Sequence, residues 1–268
     1  IALVSDRLLE IQSDLRDALS RDELKLYFQP KVDSKTHALT GVEALLRWQH
    51  PIKGTISPEI FIPVAERFAL INQIGDWVIE ESCRVLHRLR EQAIDLKIAI
   101  NLSPQQFRQP NLVTNILRVL KRFDLPHSSI MFEVSEAAEL QNPKQFNTLF
   151  NAFKGAGIEM AMDKFGTDDS SLALLQRVKV DQLKLDHTFI ANVSSNKKSL
   201  AITSAIIKLA HALDLIVVAG GIETEQQRKI LTELGCDQLQ GYLFARPVPE
   251  EKLASLIRQI AAIRKKAA

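Results

Sequence analysis

The chain has 268 residues, 46% hydrophobic and 25% charged, which is the composition of a globular protein with ample material for a buried core. Its formal net charge of +2 excludes a general polyanion binder, and no apolar run is long enough to span a bilayer. Its two cysteines, Cys83 and Cys236, lack metal-type spacing and read as reduced core thiols of a cytoplasmic protein.

The chain begins at Ile1 rather than Met and shows no secretory pattern. We expect it to be excised from something longer, cytoplasmic itself even where the full-length protein is membrane-anchored. Leu8, Ile11, Leu15 and Leu19 recur at helical spacing. Residues 1–20 are therefore expected to form a helix, either packed on the following domain or carrying a signal from an upstream one. Residues 21–263 read as the main domain and 264–268 as a basic tail, with Arg264-Lys265-Lys266 a solvated helix terminus.

Apolar β-type runs then alternate with helical patterns. The predicted strands are Leu24–Val32, Val42–Trp48, Leu96–Leu102, Ile130–Val134, Ile158–Met162, Gln182–Leu185, Leu215–Ala219 and Gln238–Phe244. The predicted helices are Phe61–Phe68, Trp77–Leu89, Leu112–Phe123, Phe146–Phe153, Ala201–Leu213, Gln226–Leu234 and Leu253–Ile263. Continuously apolar strands such as Leu215-Ile216-Val217-Val218-Ala219 suit a parallel sheet buried on both faces. Eight strands and a similar number of helices match an α/β, TIM-like (β/α)8 barrel, with a doubly wound open sheet as the alternative. The first two strands have no helix between them. The turn formers Asp33-Ser34-Lys35-Thr36-His37 predict a hairpin there, and hence one antiparallel strand.

In such a barrel, chemistry sits at the carboxyl ends of the strands. The polar residues falling there are Glu43, Arg47, Asn101, Glu133, Asp163, Lys184, Glu223 and Gln240. A charge inside an apolar strand is costly unless it is paired or metal-bound, so a converging set points to function. Glu43, Asn101, Glu133 and Asp163 are oxygen donors, which suit Mg2+, Mn2+ or Ca2+ better than zinc. Lys184 and Arg47 add cations suited to phosphate. Metal plus phosphate points to phosphodiester chemistry.

At this point the residues resemble a family. Glu43-Ala44-Leu45-Leu46-Arg47-Trp48 matches the motif that names the EAL domains, the cyclic di-GMP phosphodiesterases and their non-catalytic relatives. The resemblance runs from about Leu24 to Pro249 and includes Tyr27-Phe28-Gln29-Pro30, Phe61-Ile62-Pro63-Val64-Ala65-Glu66, Asn101-Leu102-Ser103, Phe132-Glu133-Val134-Ser135-Glu136, Leu183-Lys184-Leu185-Asp186, Glu223-Thr224 and Gln240-Gly241-Tyr242. It implies the EAL fold and, in active members, two Mg2+ or Mn2+ ions that support hydrolysis of cyclic di-GMP to pGpG. It further implies that Glu43, Asn101, Glu133 and Asp163 bind the first metal, that Lys184 holds the attacking water, and that Glu223 is the second catalytic candidate, which in an active member would have to supply missing second-metal ligands. Gln29, Leu45, Arg47 and Gln240 would line or contact the ligand, and Glu136 would brace the loop after Asp163. Family members often dimerise and often follow a GGDEF domain.

Two positions depart from the family pattern. In Asp163-Lys164-Phe165-Gly166-Thr167, Lys164 replaces a second acid, and in Ala219-Gly220-Gly221-Ile222-Glu223, Gly220 replaces a glutamate needed for catalysis. The loop also carries Asp168 and Asp169 in place of Gly and Tyr. Both lost acids serve the second metal and the catalytic water. The two exchanges shift the site's charge by about +3 if every group carries its usual charge. At about 4 Å and an effective dielectric near 20, each unit repulsion is on the order of 4 kcal/mol. A second metal should therefore be lost, while a dianionic ligand is favoured. Lys164 either contacts a ligand phosphate or pairs with Asp168 or Asp169.

The resulting expectation is a degenerate EAL domain that binds cyclic di-GMP as a second-messenger receptor. One Mg2+ or Mn2+ site would remain, with no metal required for ligand binding, and no contact with nucleic-acid polymers or membrane. The alternatives are an active or weakly active phosphodiesterase, and an interaction scaffold that has lost the nucleotide. Gly-x-Ser-x-Gly, His-Glu-x-x-His and Gly-x-Gly-x-x-Gly motifs are absent, and the six histidines form no ligand spacing.

Overall fold

The computed structural model describes residues 2–136, 143–166 and 180–267, with side chains described from residue 8 to 263. Its first feature is a long hairpin. Strand β1 (Leu24–Asp33) runs antiparallel to β2 (Leu39–His50), with Gln29 opposite Glu43 and Lys31 opposite Gly41. The turn forms because the Asp33 carboxylate accepts the backbone N–H of Lys35 at 3.0 Å and of Thr36 at 2.7 Å, an Asx turn.

The parallel strands β4 (Ile98–Leu102), β5 (Ile130–Ser135), β6 (Glu159–Phe165), β7 (Gln182–Leu185), β8 (Ile216–Ala219) and β9 (Gln238–Gln240) follow β2 around the barrel. β9 closes it by pairing antiparallel with β1. The result is an eight-stranded TIM-like barrel in which β1 is reversed against both neighbours. Short edge strands β3 (Gly54–Ile56) and β10 (Val248–Pro249) extend β2 and β1.

Nine helices are described. They are α1 (Ala2–Ala18), α2 (Pro58–Arg67), α3 (Ile71–Glu91), α4 (Leu112–Arg122), α5 (Pro143–Gly155), α6 (His187–Ala191), α7 (Lys197–Ala212), α8 (Glu225–Glu233) and α9 (Glu250–Ala267). The main apolar core lies between barrel and helices, with Phe28, Trp48, Phe61, Phe132, Phe146 and Phe153 fully buried in it. Alternation along the strands sends the other face inward. There, Ala99, Met131 and Ala161 form a small separate cluster, and Asn101, Glu133 and Asp163 follow two residues later on the same strands. The period of the pleat thus carries oxygen donors to the mouth above a small apolar layer.

The α1 helix packs through Ile11, Leu15 and Ala18, and its Asp14 meets Lys53 at 2.6 Å and the buried His50 at 3.3 Å. Both thiols, Cys83 and Cys236, are buried and pushed up to about 12 by desolvation.

Some predicted bounds are corrected. The strand expected over Gln238–Phe244 ends at Gln240 because Gly241 turns the chain against Ile222. A Cβ at Gly241 would lie 2.1 Å from the Ile222 carbonyl oxygen, so only glycine fits there. The α3 helix begins six residues before the predicted Trp77, and α9 continues past Ile263 through the residues read as a tail. The short α6 was not anticipated. It starts where the Asp186 side chain caps the Thr188 N–H at 2.9 Å.

Candidate ligand and metal site

Adjacent strands bring the expected polar residues together at the barrel mouth. Asn101 on β4 is in register with Glu133 on β5, and Ser135 on β5 is in register with Asp163 on β6. Lys184, on β7, is the hub. Its ammonium donates to Glu43 at 2.6 Å and Glu133 at 2.9 Å, and it lies 3.7 Å from Asp163. The Asn101 amide donates to the other Glu43 oxygen at 2.8 Å. The Gln240 amide donates to Glu43 at 2.8 Å and to Gln29 at 3.2 Å, and Gln29 donates to the Ala245 carbonyl.

Burial and charge act against each other in this set. Burial alone would raise Glu43, but the Lys184 and Lys31 ammoniums outweigh it and bring the carboxyl down to about 2. Burial likewise opposes the charge on Lys184, yet Glu133, Glu43 and Asp163 raise it well above its ordinary value. Asp163 is raised by burial, helped by the two glutamates, with Lys184 and Lys164 pulling the other way. Near neutral pH, Glu43 is therefore an anion, and Lys184 is the donor of the hydrogen bonds that hold it and Glu133.

A cavity of about 490 Å3 opens beside this cluster, a volume typical of small-molecule sites. Leu45, Arg47, Asn101, Asp163 and Lys164 line it on one side. The other side is apolar, built by Ile62, Ile71, Ile74, Val78 and Pro104 from α2, α3 and the loop after β4. The Arg47 guanidinium donates to the Leu46 carbonyl at 2.8 Å and stands 5.9 Å over the Tyr27 ring.

Lys164 is exposed, in the left-handed region at φ 56, one residue beyond Asp163. The buried Glu136 carboxylate accepts the Gly166 N–H at 2.9 Å, holding the backbone just after Lys164. Asp168 and Asp169, the alternative partners of Lys164, lie outside the described residues. Gly220 sits beside the hub, since a Cβ there would lie 3.6 Å from Lys184 Cε. Glu223 is exposed, and its N–H donates to Gln227 in the capping box that starts α8.

The donor chemistry fits a hard divalent cation such as Mg2+ or Mn2+, with Glu43, Asn101, Glu133 and Asp163 as the residues that would hold it. In their present positions the carboxylates of Glu43, Glu133 and Asp163 face Lys184. Among the described residues, no three acidic, histidine or cysteine side chains converge as a metal-holding group. A cation there competes with the ammonium for the same oxygens.

One member of the cluster was missed from sequence. Lys31, on β1, is buried and its ammonium donates to Glu133. The signal was available, since Lys31 lies two residues beyond Gln29 and so shares its inward face.

A family model described as the EAL domain matches residues 12–247. The bifunctional diguanylate cyclase/cyclic di-GMP phosphodiesterase MucR of Pseudomonas aeruginosa is 40% identical over 250 residues, covering 93% of this chain and 36% of that protein. The cyclic di-GMP phosphodiesterase NbdA of the same species is 38% identical over 254 residues, covering 93% of this chain and 32% of that protein. The chain thus spans about a third of the length of these relatives. Among solved structures, the PaMucR phosphodiesterase in complex with c-di-GMP matches with a TM-score of 0.86 and 41% identity, covering 91% of this chain and 99% of that chain. The EAL enzyme Bd1971, with cAMP and cyclic di-GMP bound, matches with a TM-score of 0.89 and 32% identity, covering 95% and 70% respectively.

Proposed function

Because the chain belongs to the EAL domain family, we propose that its barrel mouth binds cyclic di-GMP and that, with its second acid pair gone, it binds this nucleotide without cleaving it. The observation carrying this reading is the contrast between the intact Glu43, Glu133, Asp163 and Lys184 cluster and the wall that holds Lys164 and Gly220 instead of acids. Glu43, Asn101, Glu133 and Asp163 would hold one Mg2+ or Mn2+, which when bound supplies Lewis-acid polarisation of a phosphate oxygen. Arg47, Gln29 and Gln240 bind and orient the nucleotide, and the apolar side of the cavity excludes water from its bases. Lys184 donates to Glu43 and Glu133 and so holds the two acids together at the mouth. Lys164, exposed at the rim, adds a positive charge facing a dianion. Within a longer signalling protein, with a GGDEF domain upstream and a second copy as partner, such a domain acts as a second-messenger receptor.

Calorimetric titration with cyclic di-GMP in EDTA tests the binding half. Saturable heat is expected, and its absence with and without Mg2+ would favour the scaffold reading instead.

The specific observation favouring a weakly active phosphodiesterase is that the first acid set and Lys184 are assembled in one cluster. The double variant Lys164→Asp/Gly220→Glu separates the two readings. A side chain at Gly220 meets only ordinary contacts, 3.6 Å to Lys184 Cε and 4.0 Å to the Leu185 carbonyl, so the acid can be accommodated. The receptor reading expects pGpG formation to appear only in the double variant. The alternative expects it to rise from a measurable wild-type rate.

A further inference from the structure

Glu133 is the most enclosed acid of the cluster, with a side chain 0% exposed. A carboxylate so placed must be neutralised and hydrogen-bonded, or it destabilises the fold. Lys184 serves one of its oxygens at 2.9 Å, but the same ammonium also serves Glu43 at 2.6 Å and lies 3.7 Å from Asp163. One cation is thus divided among three acids. The other Glu133 oxygen is taken by Lys31, itself 3% exposed; its charge also acts on Glu43, but its one close ion pair among the described residues is with Glu133.

The route of Lys31 to this position follows from the reversed strand. Lys31 is in register with Gln240 on one side and Gly41 on the other, one inward position past the Gln29–Glu43 pair, on the side away from the mouth. Ala99, Met131 and Gln182 share with it a small cavity of about 120 Å3, and the small alanine leaves space for the lysine stem. Lys31 therefore reaches Glu133 from within the barrel, and it does not line the ligand cavity above.

We propose that Lys31 is a positioning residue, a resident cation that holds Glu133 in its binding position when no metal is present and so keeps the nucleotide pocket formed without a divalent ion. This rests on the binding reading above. Its corollary does not: a lysine nitrogen paired with one of the first metal's carboxylate ligands must weaken that metal's binding. Removing the charge while keeping the length should therefore strengthen metal binding, the opposite of what a merely structural loss would do.

The test uses Mn2+ alone, titrated into wild-type and Lys31→Met protein without nucleotide and followed by electron paramagnetic resonance. The variant should bind Mn2+ at least about tenfold more tightly, from the Coulomb repulsion removed at this separation. Its affinity for cyclic di-GMP in EDTA should fall about tenfold or more, and saturating Mn2+ should restore it, whereas Lys31→Arg should resemble wild type in both. Unchanged or weaker Mn2+ binding by a folded variant would overturn the proposal. A variant that folds only with Mn2+ present supports it, and one that stays unfolded with Mn2+ overturns it. Failure of wild-type protein to bind cyclic di-GMP in any condition would sink the binding reading, while the nucleotide-free titration still decides the role of Lys31.

Discussion

Two sets of residues, interleaved around the barrel mouth, differ in how they are held. In one half of them, Glu43, Glu133, Lys31, Lys184 and Gln240 are buried and tied to one another, so each holds a partner that its loss would leave uncompensated. In the other, Lys164 and Glu223 are exposed, and Gly220 leaves space that a larger side chain could fill. Substitution in the second half costs the fold little, and both departures from the family pattern, Lys164 and Gly220, fall there. An intact acid cluster is therefore partly a statement about stability, and persistence of the first metal's residues does not by itself argue for turnover.

The largest effect that would sharpen this contrast is expected at Glu133. Glu133→Ala leaves the buried Lys31 ammonium without its carboxylate and removes one of the partners of Lys184, and should cost about 3–5 kcal/mol in denaturant unfolding. A loss below about 1 kcal/mol would mean that the buried half is no more interlocked than the surface.

The pH dependence comes next. The folded value of Glu43 is about 2 against an ordinary 4.5, so its contribution is fully present above about 4.5 and is lost as pH falls towards 2. That contribution is on the order of 3 kcal/mol. Asp163 has the opposite sign. Its folded value is raised above 3.8, so its contribution is present below that and fades as pH rises through the folded value. Unfolding free energies measured from pH 6 down to 2 should fall steeply for wild type and less so for Glu43→Gln. Identical profiles would contradict the assignment.

Effects in the second half should be smaller. Thr224→Ala removes the capping box of α8 and should cost about 1 kcal/mol. Lys164→Ala, at an exposed position, should change stability by no more than about 0.5 kcal/mol while weakening cyclic di-GMP binding. A large loss of stability at Lys164 would erase the distinction between the halves.

Much of this contrast was legible in the sequence. Apolar runs ending in Glu, Asn or Asp marked both the parallel strands and the acids at their ends, and the turn formers at Asp33–His37 gave the hairpin. What escaped depended on facts outside local pattern. Lys31 looks like an ordinary polar residue in an alternating strand until the reversal of β1 and the small Ala99 give it room inside. The strand after Gln238 looks longer than it is because Tyr242, Leu243 and Phe244 continue the apolar run, and only the approach of Ile222 to Gly241 ends it. The apolar side of the cavity is assembled from α2, α3 and a distant loop, and no single segment announces it.

The central claim is that this pocket holds cyclic di-GMP and leaves it intact. Prolonged incubation of the domain at high concentration with cyclic di-GMP and Mn2+, with the nucleotides then separated by chromatography, tests it most directly. The account predicts cyclic di-GMP recovered unchanged, and pGpG only from the Lys164→Asp/Gly220→Glu variant. Accumulation of pGpG beyond one equivalent per wild-type chain would contradict it.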